Sequence, residues 1–250
     1  METTTRLINT EKLFPEVKGL VISYLEQILS LHQANICSIV IYGSAAGKDF
    51  IHKRSDVNIL IIVNKLDFSD LKKSLKLISG GIKKRIVAPL FLTREHMETS
   101  GDVFPVEFLE MKENHILVYG EDILSGLEVD SKNLRLQCEH QIKGKLIRIR
   151  QAYLEIGLKR KGMEALLKQS LASLIPIFRN LIRLKDKTPA LGKEEILTQL
   201  SDEFNVDKDI FLAILRDKSN DEKIASQDVE VFLKKYIDQI QKLAVSSDKI

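Results

Sequence analysis

Residues 39–62 read IVIYGSAAGKDFIHKRSDVNILII, and this stretch decides the fold. The run 36–42, ICSIVIY, is dense in β-branched residues and stops at Gly43, which predicts a buried strand. The run 57–63, VNILIIV, predicts a second buried strand for the same reason. The small and polar residues between the two runs predict a loop that joins them at one end of a sheet.

Polar side chains stand where each predicted strand meets this loop. Ser44 follows the first strand, and Asp56 and Asn58 open the second. Because Asp56 and Asn58 are two residues apart, they share one face of the strand, while Val57 and Ile59 point to the other face. A polar pair on an apolar strand is costly unless it is satisfied, and a metal or a substrate would satisfy it. A plain strand-ending turn and a loop cap at Asp56 are the alternatives without function.

The order of apolar strand, Gly43-Ser44 and Asp56-Val57-Asn58 resembles the nucleotidyltransferase superfamily with the DNA polymerase β-like fold. The similarity is to small bacterial members of the minimal and antibiotic-modifying types, and it covers residues 30–125. It implies that Gly43 and Ser44 cradle a triphosphate, with Ser44 at a helix N-terminus. Lys53 on the loop is the expected phosphate contact, with a solvated loop as the alternative.

The same resemblance implies three metal ligands and a catalytic role for each of them. Asp56 matches the first carboxylate, and Asn58 stands where the second belongs. For the third we choose Glu107, on a strand predicted for 103–111, with Glu110 as the second choice. The implied cofactors are Mg²⁺ (or Mn²⁺) and a nucleoside triphosphate, for which ATP is expected.

Asn58 departs from the pattern of the superfamily. A side-chain amide offers the metal a neutral oxygen, and neutral contacts are about half as strong as charged ones. Two functions follow as hypotheses. One is transfer of a nucleoside monophosphate to a hydroxyl acceptor, and the other is a catalytically silent nucleotide-binding or interaction module. A toxin–antitoxin component is a third hypothesis.

The rest of the chain predicts an α+β protein with two domains. Helical spacing at 11–32 and 68–78 places helices beside a mixed β-sheet. Pro89 in the third predicted strand, 85–93, indicates an edge strand or a bulge. From Ser131 onward helical periodicity dominates, which predicts an all-α bundle of four or five helices. We expect a nucleotidyltransferase-like domain over 1–126 and a helical bundle over 127–250.

The composition of the chain limits the kinds of partner that we expect. The net charge of +3 over 250 residues does not indicate nucleic acid, although it does not exclude it. Two cysteines cannot build a disulfide framework or a four-cysteine zinc site. The apolar runs are too short to span a membrane and the first residues lack a signal peptide, so we expect no membrane partner and a cytoplasmic location. A homodimer and an antitoxin-type partner stay open.

Overall fold

The computed structural model describes residues 7–47, 50, 55–157, 159–219, 223–224 and 228–250. The chain divides into two compact units, Met1–Val129 and Asp130–Ile250. The first combines a β-sheet with helices, and the second is helical in its described residues. No helix in the described part of the chain is long and apolar enough to cross a membrane.

Four strands form one sheet among the described residues of the N-terminal unit. They are β1 (Ile36–Tyr42), β2 (Asn58–Val63), β3 (Leu90–Thr93) and β4 (His115–Gly120). Their order is β3-β2-β1-β4, with β1 antiparallel to both β2 and β4, and β2 parallel to β3. The predicted edge position of the third strand is confirmed, although β3 begins only after Pro89.

Helices cover both faces of this sheet. On one face α1 (Pro15–His32) and α2 (Phe68–Ile82) contribute to a core that contains the odd-numbered residues of β1 and β2, such as Ile39 and Ile61. On the other face α3 (Arg94–Thr99) and α4 (Pro105–Glu113) pack on the even-numbered residues, such as Val40 and Leu60. Both strands are therefore buried on two sides, as their continuous apolar runs predict.

The predicted strand over 103–111 is wrong. Pro105 stands in the first turn of α4, where its fixed φ and missing N–H favour a helix start. Pro105, Phe108 and Met111 are buried at steps of three, which places them on one side of the helix. The fourth strand is β4 instead, and it ends at Gly120, whose φ is +76°. A Cβ at Gly120 would lie 1.9 Å from the carbonyl oxygen of Cys37, so only glycine fits there.

The C-terminal unit contains five helices in its described residues. They are α5 (Ser131–Ile156), α6 (Arg160–Arg183), α7 (Lys193–Phe204), α8 (Lys208–Ser219) and α9 (Val229–Ser246). On α5 a stripe of Cys138, Ile142, Leu146 and Ile149 is buried at steps of three and four residues. Phe178, Phe211 and Tyr236 join α6, α8 and α9 through edge-to-face ring pairs with centroids 5.5 and 5.8 Å apart. The helix α6 continues through Pro176.

Candidate functional site

The loop after β1 is built on Gly43. Its φ of +73° lies in the left-handed region, which glycine adopts without strain. The N–H of Gly43 donates to the carbonyl of Asn114, just before β4, at 2.9 Å. The N–H groups of Ala46 and Gly47 donate back to the carbonyl of Gly43 at 3.0 and 3.1 Å. The loop is therefore held closely against the beginning of β4.

Ser44 lies in a short turn directly after β1. Gly43–Ala45 form a three-residue 3-10 turn, not the start of a longer helix within the described residues. Residues 48–49 and 51–54 of the loop, with Lys53 among them, lie outside the described residues. The contact between Lys53 and phosphate therefore stays a prediction.

Asn58 lies directly against the Gly43 loop. It pairs with Tyr42 across β1 and β2, and a Cβ built on Gly43 would stand 3.3 Å from the Asn58 Nδ2 atom. Asn58 is half-buried, and Asp56, two residues earlier, is exposed. Val57, Ile59 and Ile61 lie together in the core beneath α1, which confirms that they point away from Asp56 and Asn58. One end of the sheet thus brings together the loop and the polar pair.

Sequence reasoning missed a third strand at this end of the sheet. Tyr42 pairs with His115 of β4 as well as with Asn58, so the three side chains form a row on one face. Burial raises the pKa of Tyr42, so its phenol is neutral at physiological pH. The apolar run 115–120, which begins with His115, could have predicted this strand. It was passed over because the fourth strand had been assigned to 103–111.

The ring of His115 lies between two oxygen atoms. Its Nδ1 atom lies 2.9 Å from the carbonyl oxygen of Lys112, and its Nε2 atom lies 3.1 Å from Oδ1 of Asp122. Asp122 also accepts hydrogen bonds from the N–H and the hydroxyl of Ser125. Burial opposes the ionisation of Asp122, but these hydrogen bonds and the neighbouring His115 outweigh it, and the pKa of Asp122 is lowered. The imidazole therefore has one set orientation beside the Gly43 loop.

The two candidates for the third carboxylate lie on α4. Glu107 is in its first turn, and the carbonyl of Glu110 accepts from the N–H of Asn114 at 3.3 Å. At about 1.5 Å of rise per residue, Glu107 lies roughly 10 Å from Asn114 along the axis, and Glu110 roughly 6 Å. The reason for choosing Glu107, its place in a strand, is wrong, while the role of either residue as a ligand stays a prediction.

The strand beside β2 offers no acidic residue that could serve as the third metal ligand instead. Residues 85–93, which lead into β3 and include it, carry no acidic side chain. Among the described residues no group of three or more His, Cys, Asp or Glu side chains is placed to hold a metal ion. Asp56 and Asn58 supply one carboxylate and one amide oxygen. This set fits a single Mg²⁺ that brings its other ligands on a nucleotide, since Mg²⁺ often takes one or two protein carboxylates together with phosphates.

The sheet with its flanking helices is consistent with the expected nucleotidyltransferase fold, and a structural comparison supports this fold. The structure resembles spectinomycin adenyltransferase AAD(9) from Enterococcus faecialis, solved with ATP and spectinomycin, with a TM-score of 0.57 and 12% identity. The match covers 88% of this chain and 98% of that one, so it includes residues of both units. No protein-family model matches the sequence, and no curated protein sequence does.

Proposed function

We propose that the chain binds ATP at the end of the sheet formed by Gly43, Ser44, Asp56 and Asn58, and transfers AMP to a small molecule with a free hydroxyl. The acceptor oxygen forms a bond to the α-phosphorus, the bond from that phosphorus to the pyrophosphate oxygen breaks, and the hydroxyl proton is released. The close approach of Gly43 to Asn58 is the main support for this proposal, because it brings the loop and the polar pair next to each other.

Each residue contributes a different part of the binding. Gly43 has no side chain to obstruct a polyphosphate, so the backbone of the loop can approach it closely. The hydroxyl of Ser44 offers a hydrogen bond, and Lys53 would add a positive charge from the loop. Asp56 and Asn58 would hold one Mg²⁺ or Mn²⁺, and such an ion neutralises phosphate charge during the transfer.

The acceptor class is inferred from the structural neighbour. That adenyltransferase was solved with ATP and spectinomycin, and the likeness continues into the helical unit. At 12% identity this likeness concerns the fold, so the choice of a small hydroxyl-bearing acceptor is our hypothesis. A homodimer, an antitoxin-type partner and a cytoplasmic location also stay predictions.

Calorimetry with each of the four nucleoside triphosphates, with and without Mg²⁺, tests the binding half of the proposal. We expect ATP to bind in the presence of Mg²⁺ and the Asp56→Ala variant to lose this binding. The transfer half is tested with ATP labelled on the α-phosphate and a panel of aminocyclitol acceptors, including spectinomycin. The proposal fails if no triphosphate binds.

A catalytically silent nucleotide-binding module is the second candidate. Two observations favour it: Asn58 occupies the position of the second carboxylate, and residues 85–93 beside β2 carry no acid. The Asn58→Asp variant separates the two candidates. If the parent chain transfers AMP and Asp56→Ala abolishes the transfer, the silent module is excluded. If ATP binds to both forms and only the Asn58→Asp variant turns over, the silent module is the better description.

A further inference from the structure

The helix α2 packs on the sheet in an unusual way. Among its 15 residues only Ser74 and Gly81 are buried, and both are small. Gly81 lies so close to α1 that an added Cβ would stand 2.7 Å from the Tyr24 ring. A helix on a folded domain normally buries its large apolar side chains. In α2 only Leu77 and Ile78 do so, and they are half-buried against the core beneath α1. The other large apolar side chains of α2 are left for another surface.

These side chains form a stripe along the helix, which we call the outer stripe: Phe68, Leu71, Leu75 and Ile82. Phe68 is 79% exposed, Leu75 63% and Ile82 55%. At about 100° per residue the four positions fall within roughly 60° of the helix circumference. Exposed apolar residues scattered singly are ordinary, but an aligned set along a whole helix marks an interaction surface.

Lysines border the outer stripe on one side. Lys72, Lys76 and Lys83, the lysine row, occupy roughly the next 80° of the circumference beyond Phe68. No ion pair is formed by these three lysines within the described residues, whereas Lys73 pairs with Asp70 at 2.6 Å. From Phe68 to Lys84 the sequence holds five lysines against one aspartate. The partner that complements this surface is therefore both apolar and negatively charged.

We propose that the outer stripe and the lysine row dock α2 onto an anionic lipid surface. Amphipathic helices with Phe and Leu on one face and Lys beside it lie in the plane of such interfaces, and their lysine stems reach up to the headgroups. This mode needs no membrane-spanning segment, so the expectation of no membrane partner is revised only for the surface of a bilayer.

Two other occupants fit the surface less well. In a pair of α2 helices, the excess of lysines on one copy would repel that on the other, and four side chains cover less area than a stable dimer needs. A protein partner would favour a hollow for its side chains. A groove of about 630 Å³ lies between α1 and α2. Lys76 lines it, but the four residues of the outer stripe do not.

Cosedimentation of the full chain with lipid vesicles tests the proposal. We expect binding to an equal mixture of phosphatidylcholine and phosphatidylglycerol to exceed binding to phosphatidylcholine alone by on the order of 100-fold, and to weaken as salt is raised. Lys72→Gln/Lys76→Gln/Lys83→Gln should remove most of this difference, and Phe68→Ser/Leu75→Ser should weaken binding about tenfold or more.

Matched controls come from the other unit. Leu154 is 80% exposed and Val231 is 52% exposed, so Leu154→Ser/Val231→Ser removes comparable apolar surface and should bind vesicles like the parent. Thermal melts of all variants check that exposed substitutions leave the fold intact. Equal binding to both kinds of vesicle, no binding to either, or unchanged binding by Phe68→Ser/Leu75→Ser would overturn the proposal. So would a dimer in light scattering that Phe68→Ser/Leu75→Ser dissolves.

Discussion

We expect acidic ligands both at the start of β2 and in the segment 103–111. The first lies at the end of a strand, whereas the second forms a helix. Asp56 and Asn58 stand at the end of a strand that is buried on both faces and pairs with β1. Glu107 and Glu110 stand on a helix that packs on one face of the sheet. A ligand at the end of a central strand is positioned by backbone pairing, whereas one on α4 depends on how that helix is docked. The first half of the candidate site is therefore the better defined.

Removing the carboxylate at the start of β2 should have the largest effect. We expect Asp56→Ala to weaken the binding of Mg²⁺-ATP by about 100-fold or more, because it removes the charged ligand of the pair. Asp56 is exposed, so the melting temperature should stay within a few degrees of that of the parent. Calorimetry and a thermal melt measure the two quantities. Unchanged affinity would mean that the metal ion does not bind at the polar end of β2.

Gly43→Ala tests the loop that contacts Asn58. Alanine at a φ of +73° costs about 1–2 kcal/mol, and its Cβ would stand 3.3 Å from Nδ2 of Asn58. We expect affinity for ATP to fall about tenfold and the melting temperature to fall by roughly 5 °C. Gly144→Ala is the control, since a Cβ there meets nothing within 4 Å. In α5 it should add stability of about 0.5–1 kcal/mol.

The two glutamates of α4 sharpen the comparison further. We expect Glu110→Gln to lower kcat for AMP transfer by about tenfold and Glu107→Gln by less than about twofold, since Glu110 is one turn nearer to Asn114. The labelled-ATP assay measures both, in the Asn58→Asp background if the parent is silent. A larger effect of Glu107→Gln would contradict the placement inferred from α4.

Asn58→Asp should strengthen the binding of the metal ion expected at the start of β2. A second carboxylate contacts a cation more strongly than an amide does, so we expect about fivefold tighter binding of Mg²⁺-ATP. Titration with ATP at several Mg²⁺ concentrations measures the change. Asn58→Ala should not show this gain in affinity. This control distinguishes the effect of the added charge from the effect of losing the contact between Asn58 and Gly43.

The smallest effect concerns Asp122 and acid stability. Its pKa is lowered from the ordinary 3.8 in the folded chain, so its contribution is present above that value and is lost as pH falls through the lowered one. Because Asp122 is partly exposed, the contribution should be below about 1 kcal/mol. Asp122→Asn should therefore melt slightly lower at neutral pH and lose less stability below a pH of about 4. Equal acid sensitivity of parent and variant would contradict this.

Sequence patterns located β1 and the start of β2 because continuous β-branched runs have few other interpretations. They failed at 103–111, where a short mixed run fits a strand or a helix equally well. The position of Pro105 in the first helical turn favours the helix. The contacts of Asn114 with Gly43 and of His115 with Tyr42 could not be predicted, since they depend on the register of β4 against β1. The exposure of the apolar side chains of α2 could not be predicted either, because amphipathic spacing alone does not show which face of a helix is covered.

Gly120 has a consequence for how this sheet tolerates change. It stands at one end of β4 and His115 at the other, and at position 120 an added Cβ would overlap the Cys37 carbonyl. A substitution at Gly120 would force β4 to slip or to separate from β1, and a slip of one residue reverses the face of every side chain on a strand. The imidazole would then turn from the face that it shares with Tyr42 and Asn58 into the hydrocarbon under α1. A change about 17 Å from the loop, remote from any ligand, would thus dismantle the site by backbone displacement alone.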